Sequence, residues 1–158
     1  MIALPIACGI TGDSLLDGST LLPDLAVAGV GLSLGPELLA NGDFATDTVW
    51  TKGVGWTIAA GLATCTTPGA NSLLSQAFVP IVGRTYYAVV FVSSMTAPAL
   101  SLRFTNAGAN VTNTATAIGT AGTFTRLMIP VSAADSFSIN GTAAALASVD
   151  SVSLRLVI

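Results

Sequence analysis

Along most of residues 56–158, apolar side chains return at every second position and polar ones fill the gaps. Leu100, Leu102 and Phe104 alternate with Ser101, Arg103 and Thr105, and Val152, Leu154, Leu156 and Ile158 alternate with Ser153 and Arg155. Successive side chains of a β-strand point to opposite faces, so this period sends one set into a core and the other into water. No stretch of useful length carries the three-to-four spacing of an amphipathic helix. The chain is thereby restricted to strands and the turns between them.

The turns are as legible as the strands. Trp56–Ala59 leads through Ala60-Gly61 into Leu62–Thr66, which reads as a hairpin; residues 67–71 form a turn and residues 73–79 a strand. Residues 85–92 are the most β-prone run, and residues 123–131, with Pro130 near their end, read as an edge strand because proline cannot donate to a ladder. Ser136 to Ile139 runs into Asn140-Gly141, a two-residue hairpin signal since both residues accept positive φ. Short strands at this spacing make a sandwich or barrel.

Composition narrows the function classes. With 158 residues the chain is one domain plus a short extension, and 52% hydrophobic residues against 8% charged exclude disorder. There is no histidine, and Lys52 is the only lysine, which removes the usual general base and the commonest metal ligand. Asp43 and Asp47 sit in a turn-rich segment with no sign of a cleft, so no enzyme is expected. Five basic residues against eight acidic ones leave no footprint for nucleic acid. The apolar run 25–34 is broken by Gly29 and Gly31 and falls short of the ~20 residues that span a bilayer, so no membrane partner is expected. Cys8 and Cys65 belong to no C-x-x-C pattern and read as two unrelated thiols.

Residues 1–36 hold Asp13, Asp17 and Asp24 and no basic residue, so the whole net charge of −3 lies there. Gly35-Pro36 marks the boundary between this extended arm and a domain over residues 37–158. The arm is too small for its own core, and its apolar pieces need a surface to lie on. Ile2, Leu4 and Ile6, with Leu25, Val27 and Val30, are the expected interface residues. In residues 85–92 both faces are apolar, Tyr86, Ala88, Val90 and Val92 on one and Tyr87, Val89 and Phe91 on the other. A sandwich strand with a wet face would not look like this. Its outer face is expected to be covered by the arm or a neighbouring subunit, in a homo-oligomer with a trimer as first choice.

Three groups of residues carry a family resemblance: Glu37-Leu38-Leu39-Ala40-Asn41-Gly42-Asp43-Phe44 followed by Gly55-Trp56-Thr57, Ser75-Gln76 before Gly83-Arg84-Thr85-Tyr86, and Val149-Asp150-Ser151-Val152-Ser153-Leu154. Residues 37–158 thereby resemble the jelly-roll carbohydrate-binding modules of families 4 and 9, which have many relatives among tailed-phage virion proteins. The resemblance implies an all-β antiparallel jelly-roll β-sandwich preceded by the extended arm. It also implies sugar binding on aromatic platforms. Phe44, Trp56 and Tyr86 match family core positions, which leaves Trp50 and Tyr87 as candidate platforms, with burial at a subunit contact as the favoured alternative. A structural calcium in the family would fall to Asp43 and Asp150 here. Ala45 stands where a further acid belongs, and calcium wants six to eight oxygens, so no cofactor is expected. The first functional expectation is a non-enzymatic virion component on the particle surface, such as a capsid decoration, head-fibre or tail-appendage protein. Its partners would be a capsid or tail protein. The alternative is a module that binds a cell-surface or polymeric glycan.

Overall fold

The structure, a computed structural model, describes residues 32–66, 69–97, 100–113 and 117–158. In chain order its strands are β1 (Leu34–Glu37), β2 (Thr51–Lys52), β3 (Trp56–Ala59), β4 (Leu62–Thr66), β5 (Ser72–Ala77) and β6 (Tyr86–Ala97). They continue with β7 (Leu100–Asn106), β8 (Ala109–Asn110), β9 (Ala117–Ile118), β10 (Gly122–Met128), β11 (Ser136–Gly141) and β12 (Leu146–Val157). The described residues contain no helix.

Two six-stranded antiparallel sheets form a sandwich, as the alternation and the family resemblance imply. The first, the β6 sheet, runs β10-β6-β12-β4-β3, with β1 also paired to β12. The second, the β11 sheet, runs β2-β5-β11-β7-β8, with β9 also on β7. The β3–β4 hairpin forms where the sequence places it, because Ala60 and Gly61 both take positive φ, 51° and 75°, as a two-residue turn between twisted strands requires. β10 lies at the end of its sheet, the edge position expected from Pro130.

Rings hold the sheets together. Tyr86 of β6 meets Phe104 of β7 edge-on with centroids 5.2 Å apart, Phe104 meets Phe137 of β11 at 6.1 Å, and Phe78 packs on both Tyr86 and Phe104. Phe44, Trp50 and Trp56 join the same core, with Val90, Val92, Val149, Val152 and Leu154 from the middle of the β6 sheet. Edge-to-face pairs of this kind add about 0.5–1.5 kcal/mol beyond burial of their area.

Asn140-Gly141 corrects the sequence reading. Both residues lie inside β11, opposite Leu73 and Ser72 on one side and Ser101 and Leu100 on the other, and the chain turns at residues 142–145 instead. The glycine is there for closeness and not for φ. A β-carbon on Gly141 would lie 2.6 Å from Cys65 Sγ and 3.5 Å from Trp56 Cζ2, so only glycine lets β11 approach β3 and β4 this nearly. Cys65 is a free, buried thiol whose pKa burial pushes up to about 11; Cys8 lies outside the described residues.

Gly35 and Pro36 lie within β1, which pairs Leu34 with Val157 and Glu37 with Arg155. Glu37 latches this junction. Its Oε1 accepts the amides of Leu38, Leu39 and Leu154, and its Oε2 accepts the Ser153 hydroxyl. Burial opposes its charge, yet the Leu154 amide, the Ser153 hydroxyl and the Leu39 and Leu38 amides together hold its pKa below the ordinary 4.5. Arm residues Ile2, Leu4, Ile6, Leu25, Val27 and Val30 lie outside the described residues. On the outer face of the β6 sheet, Tyr87 is buried, Val89 half-buried and Phe91 exposed.

Two outcomes follow from these contacts. Gly141→Ala should lower stability by about 1–3 kcal/mol, the usual cost of overpacking, and Cys65→Ala in the same chain should recover part of it; chemical denaturation measures both. Glu37→Gln should cost about 1 kcal/mol near neutral pH, a figure reduced for the partial exposure of the group. A depressed carboxylate pKa stabilises above the unfolded value and loses that contribution as pH falls through the folded one. The stabilities of wild type and Glu37→Gln should therefore converge as pH falls through the folded-state pKa of Glu37, which lies below 4.5, and a constant gap down to strongly acid pH would contradict the latch.

Candidate functional site

The outer face of the β11 sheet is where chemistry collects. Leu100, Leu102, Phe104, Phe137, Ile139 and Leu74 take the inner positions of β7, β11 and β5, which turns Ser101, Arg103, Thr105, Ser136, Ser138, Asn140, Leu73 and Ser75 outward. The register lines these up in cross-strand rows: Thr105 beside Ser136, then Arg103 beside Ser138 and Ser75, then Ser101 beside Asn140 and Leu73. Thr51 of β2 extends the middle row past Ser75.

A chain of hydroxyls crosses the three strands. Thr105 Oγ1 lies 2.7 Å from Ser136 Oγ and 2.8 Å from Ser138 Oγ, and Ser138 Oγ donates to Ser75 Oγ at 3.0 Å. One end is fixed by Asp135, which accepts the Ala107 amide and the Ser136 hydroxyl; these two bonds hold its pKa below the ordinary value. Arg103 leans along β7, its Nε donating to Ser101 Oγ at 3.0 Å. Asn140 differs from its neighbours. It is 1% exposed, and neither its Nδ2 nor its Oδ1 has a hydrogen-bond partner.

At the β2 and β5 edge the same face opens into a cavity of about 460 Å³ lined by Thr51, Lys52, Gly53, Asn71, Leu73 and Ser75, among others. Ser72 Oγ, also at this cavity, is buried without a partner. Lys52 is ion-paired with Asp47 at its mouth.

The platforms proposed from sequence are not available as open rings. Trp50 is 6% exposed, packed on Phe44 at 5.5 Å, and donates its Nε1 to the Asn41 carbonyl. Tyr87 is 7% exposed on the outer face of the other sheet, between Leu127 and Arg155 in the register. Trp50 is short of solvent because it folds into the core on Phe44, whereas Tyr87 is buried outside that core. Asp43 is exposed and caps the Ala45 amide, while Asp150 occupies an irregularity in the pairing of β12 with β6. No group of three or more His, Cys, Asp or Glu side chains gathers among the described residues. Two carboxylates fall short of calcium's six to eight oxygens, so the residues present do not make that site. The outward set on β7 and β11 was missed, although Ser101-x-Arg103-x-Thr105 and Ser136-x-Ser138-x-Asn140 spell it in period two.

No family model and no curated protein matches this sequence. Solved structures do match. The second N-terminal cellulose-binding domain of Cellulomonas fimi β-1,4-glucanase C aligns over 77% of this chain and 95% of its own length, at 16% identity and a TM-score of 0.54. The fold is one that carbohydrate-binding modules use. The enzymatically active domain of bacteriophage CBA120 tailspike protein 4 also aligns over 77% of this chain, at 16% identity and a TM-score of 0.51, through 21% of its own length. The mannan-binding module of Man5C aligns over 68% of this chain and 92% of its own, at 16% identity and a TM-score of 0.47. Two of these three structures are named as binding modules rather than catalysts.

Proposed function

We propose that the protein binds a glycan on the outer face of the β11 sheet. The observation that carries this reading is the cross-strand row of Arg103, Ser138, Ser75 and Thr51, whose accessible members Arg103, Ser75 and Thr51 run into the cavity at β2 and β5 above a layer of buried hydroxyls. Saccharides present hydroxyls spaced along a chain, and a rigid strand array with donors and acceptors in rows matches that pattern without conformational cost. The sandwich shared with a cellulose-binding domain supports the same reading. Recognition here is by hydrogen bonds, since no open aromatic ring lies on this face.

A virion role is the second reading. It is supported by the likeness to a phage tailspike domain and by the apolar outer face of β6, where Phe91 is 39% exposed. In that reading the domain sits on the particle surface, anchored through the arm to a capsid or tail protein, as a homo-oligomer. Sedimentation of the full chain as a monomer across the micromolar range would remove it.

The glycan reading is tested with the full chain on a saccharide array and by affinity electrophoresis through soluble polysaccharides. At least one polymer should retard it. Thr51→Ala with Ser75→Ala should weaken that retention about thirtyfold, as loss of two hydrogen bonds worth ~1 kcal/mol each predicts, while Thr57→Ala on the other sheet leaves it unchanged. A chain that no saccharide retards, or a double variant that binds as the wild type does, contradicts the reading.

A further inference from the structure

Arg103 is the cation at the middle of this face. Among the described residues the ion pairs are Lys52 with Asp47 and Arg155 with Glu37, and neither includes it. Among the described residues only its Nε is engaged, by a neutral hydroxyl, and the two terminal nitrogens of the guanidinium have no partner there. Beside it the Asn140 amide is buried with both polar atoms unsatisfied, a state that is costly for each group left without a bond. Its register neighbours are Leu73 and Ser101, and neither bonds the amide. An uncompensated guanidinium next to an unsatisfied buried amide, on a face of neutral hydroxyls, is a set of groups completed by a planar anion with oxygens to share.

We propose that the glycan is acidic: Arg103 takes the carboxylate of a uronic acid residue, and Asn140 bonds the same sugar. This rests on the glycan-binding reading and specifies its ligand class. A guanidinium fork matches a carboxylate in a bidentate pair, and such charge-assisted bonds are roughly twice as strong as neutral ones. Ser101 and Asn140 are buried in the free protein, so the sugar reaches them as the carboxylate draws Arg103 away from Ser101. The uncharged hydroxyls of Ser75 and Thr51 then run along the polymer on the cavity side, which lets one charged residue be read within a longer chain.

The experiment compares polygalacturonate, its fully methyl-esterified form and dextran sulfate, with the full chain in affinity electrophoresis and calorimetry. Polygalacturonate should bind at least about tenfold more tightly than the ester, and Arg103→Gln should remove that difference while leaving the weaker binding of the ester in place. Asn140→Leu separates a binding role from a structural one. It should weaken polygalacturonate binding about fivefold or more with the thermal midpoint unchanged or raised, because it removes an unpaired buried amide. Equal affinity for acid and ester, or tighter binding to dextran sulfate than to polygalacturonate, overturns the acidic inference and leaves the glycan reading standing. So does a lowered midpoint with intact binding in Asn140→Leu. Retention by none of these polymers or by any neutral polysaccharide overturns both.

Discussion

The contact between the two sheets takes up nearly every ring the chain has. Of ten aromatic residues, Phe44, Trp50, Trp56, Tyr86, Phe104 and Phe137 are core, and Phe78 and Phe124 pack against it. Tyr87 is buried on the far face of the β6 sheet, and Phe91 alone of the ten counts among the exposed large hydrophobic residues. In a sequence that is 8% charged, interior packing is the main source of stability. Whatever the outer face of the β11 sheet does, it does with small polar side chains and a few charges. The architecture thereby decides the style of recognition before any ligand is considered.

That constraint explains why hydroxyls dominate the β11 sheet. Serine and threonine on adjacent strands bond one another across the pleat, which keeps a screened polar surface satisfied at small cost. Ser138 is fully buried yet has two hydroxyl partners. Against such a background an unsatisfied amide or an unpaired guanidinium stands out chemically, because its neighbours show that the fold can supply partners where it needs them.

Much of the fold was legible in the sequence because alternation and turn chemistry agreed. The β3–β4 hairpin, the inward set of β7 and the closing β12 all follow from period two and a few glycines, whereas the polar face of β7 is not wet as expected, since Ser101 and Thr105 are buried and Arg103 half-buried. Asn140-Gly141 was misread because the dipeptide has two physical uses: a glycine can permit positive φ, or it can permit close approach, and only the position of Cys65 and Trp56 on the opposite sheet tells which applies. Trp50 was left between platform and burial for a related reason, since a ring near a turn is open or buried depending on where Phe44 lies. The candidate site was spelled in two separate strands, and its meaning required knowing that β7 and β11 are neighbours in register. Sequence supplies the faces; pairing supplies the rows.

β12 has a consequence for the order of events during synthesis. It lies between β6 and β4 within its sheet and also receives β1, so residues separated by more than a hundred positions become neighbours only through it. Until the segment from Leu146 onward has left the ribosome, β6 with β10 and β3 with β4 are two unjoined ribbons, each with an open edge. Assembly is therefore delayed to the end of this segment's translation, and the nascent chain spends that interval with apolar faces that only its last strand can close.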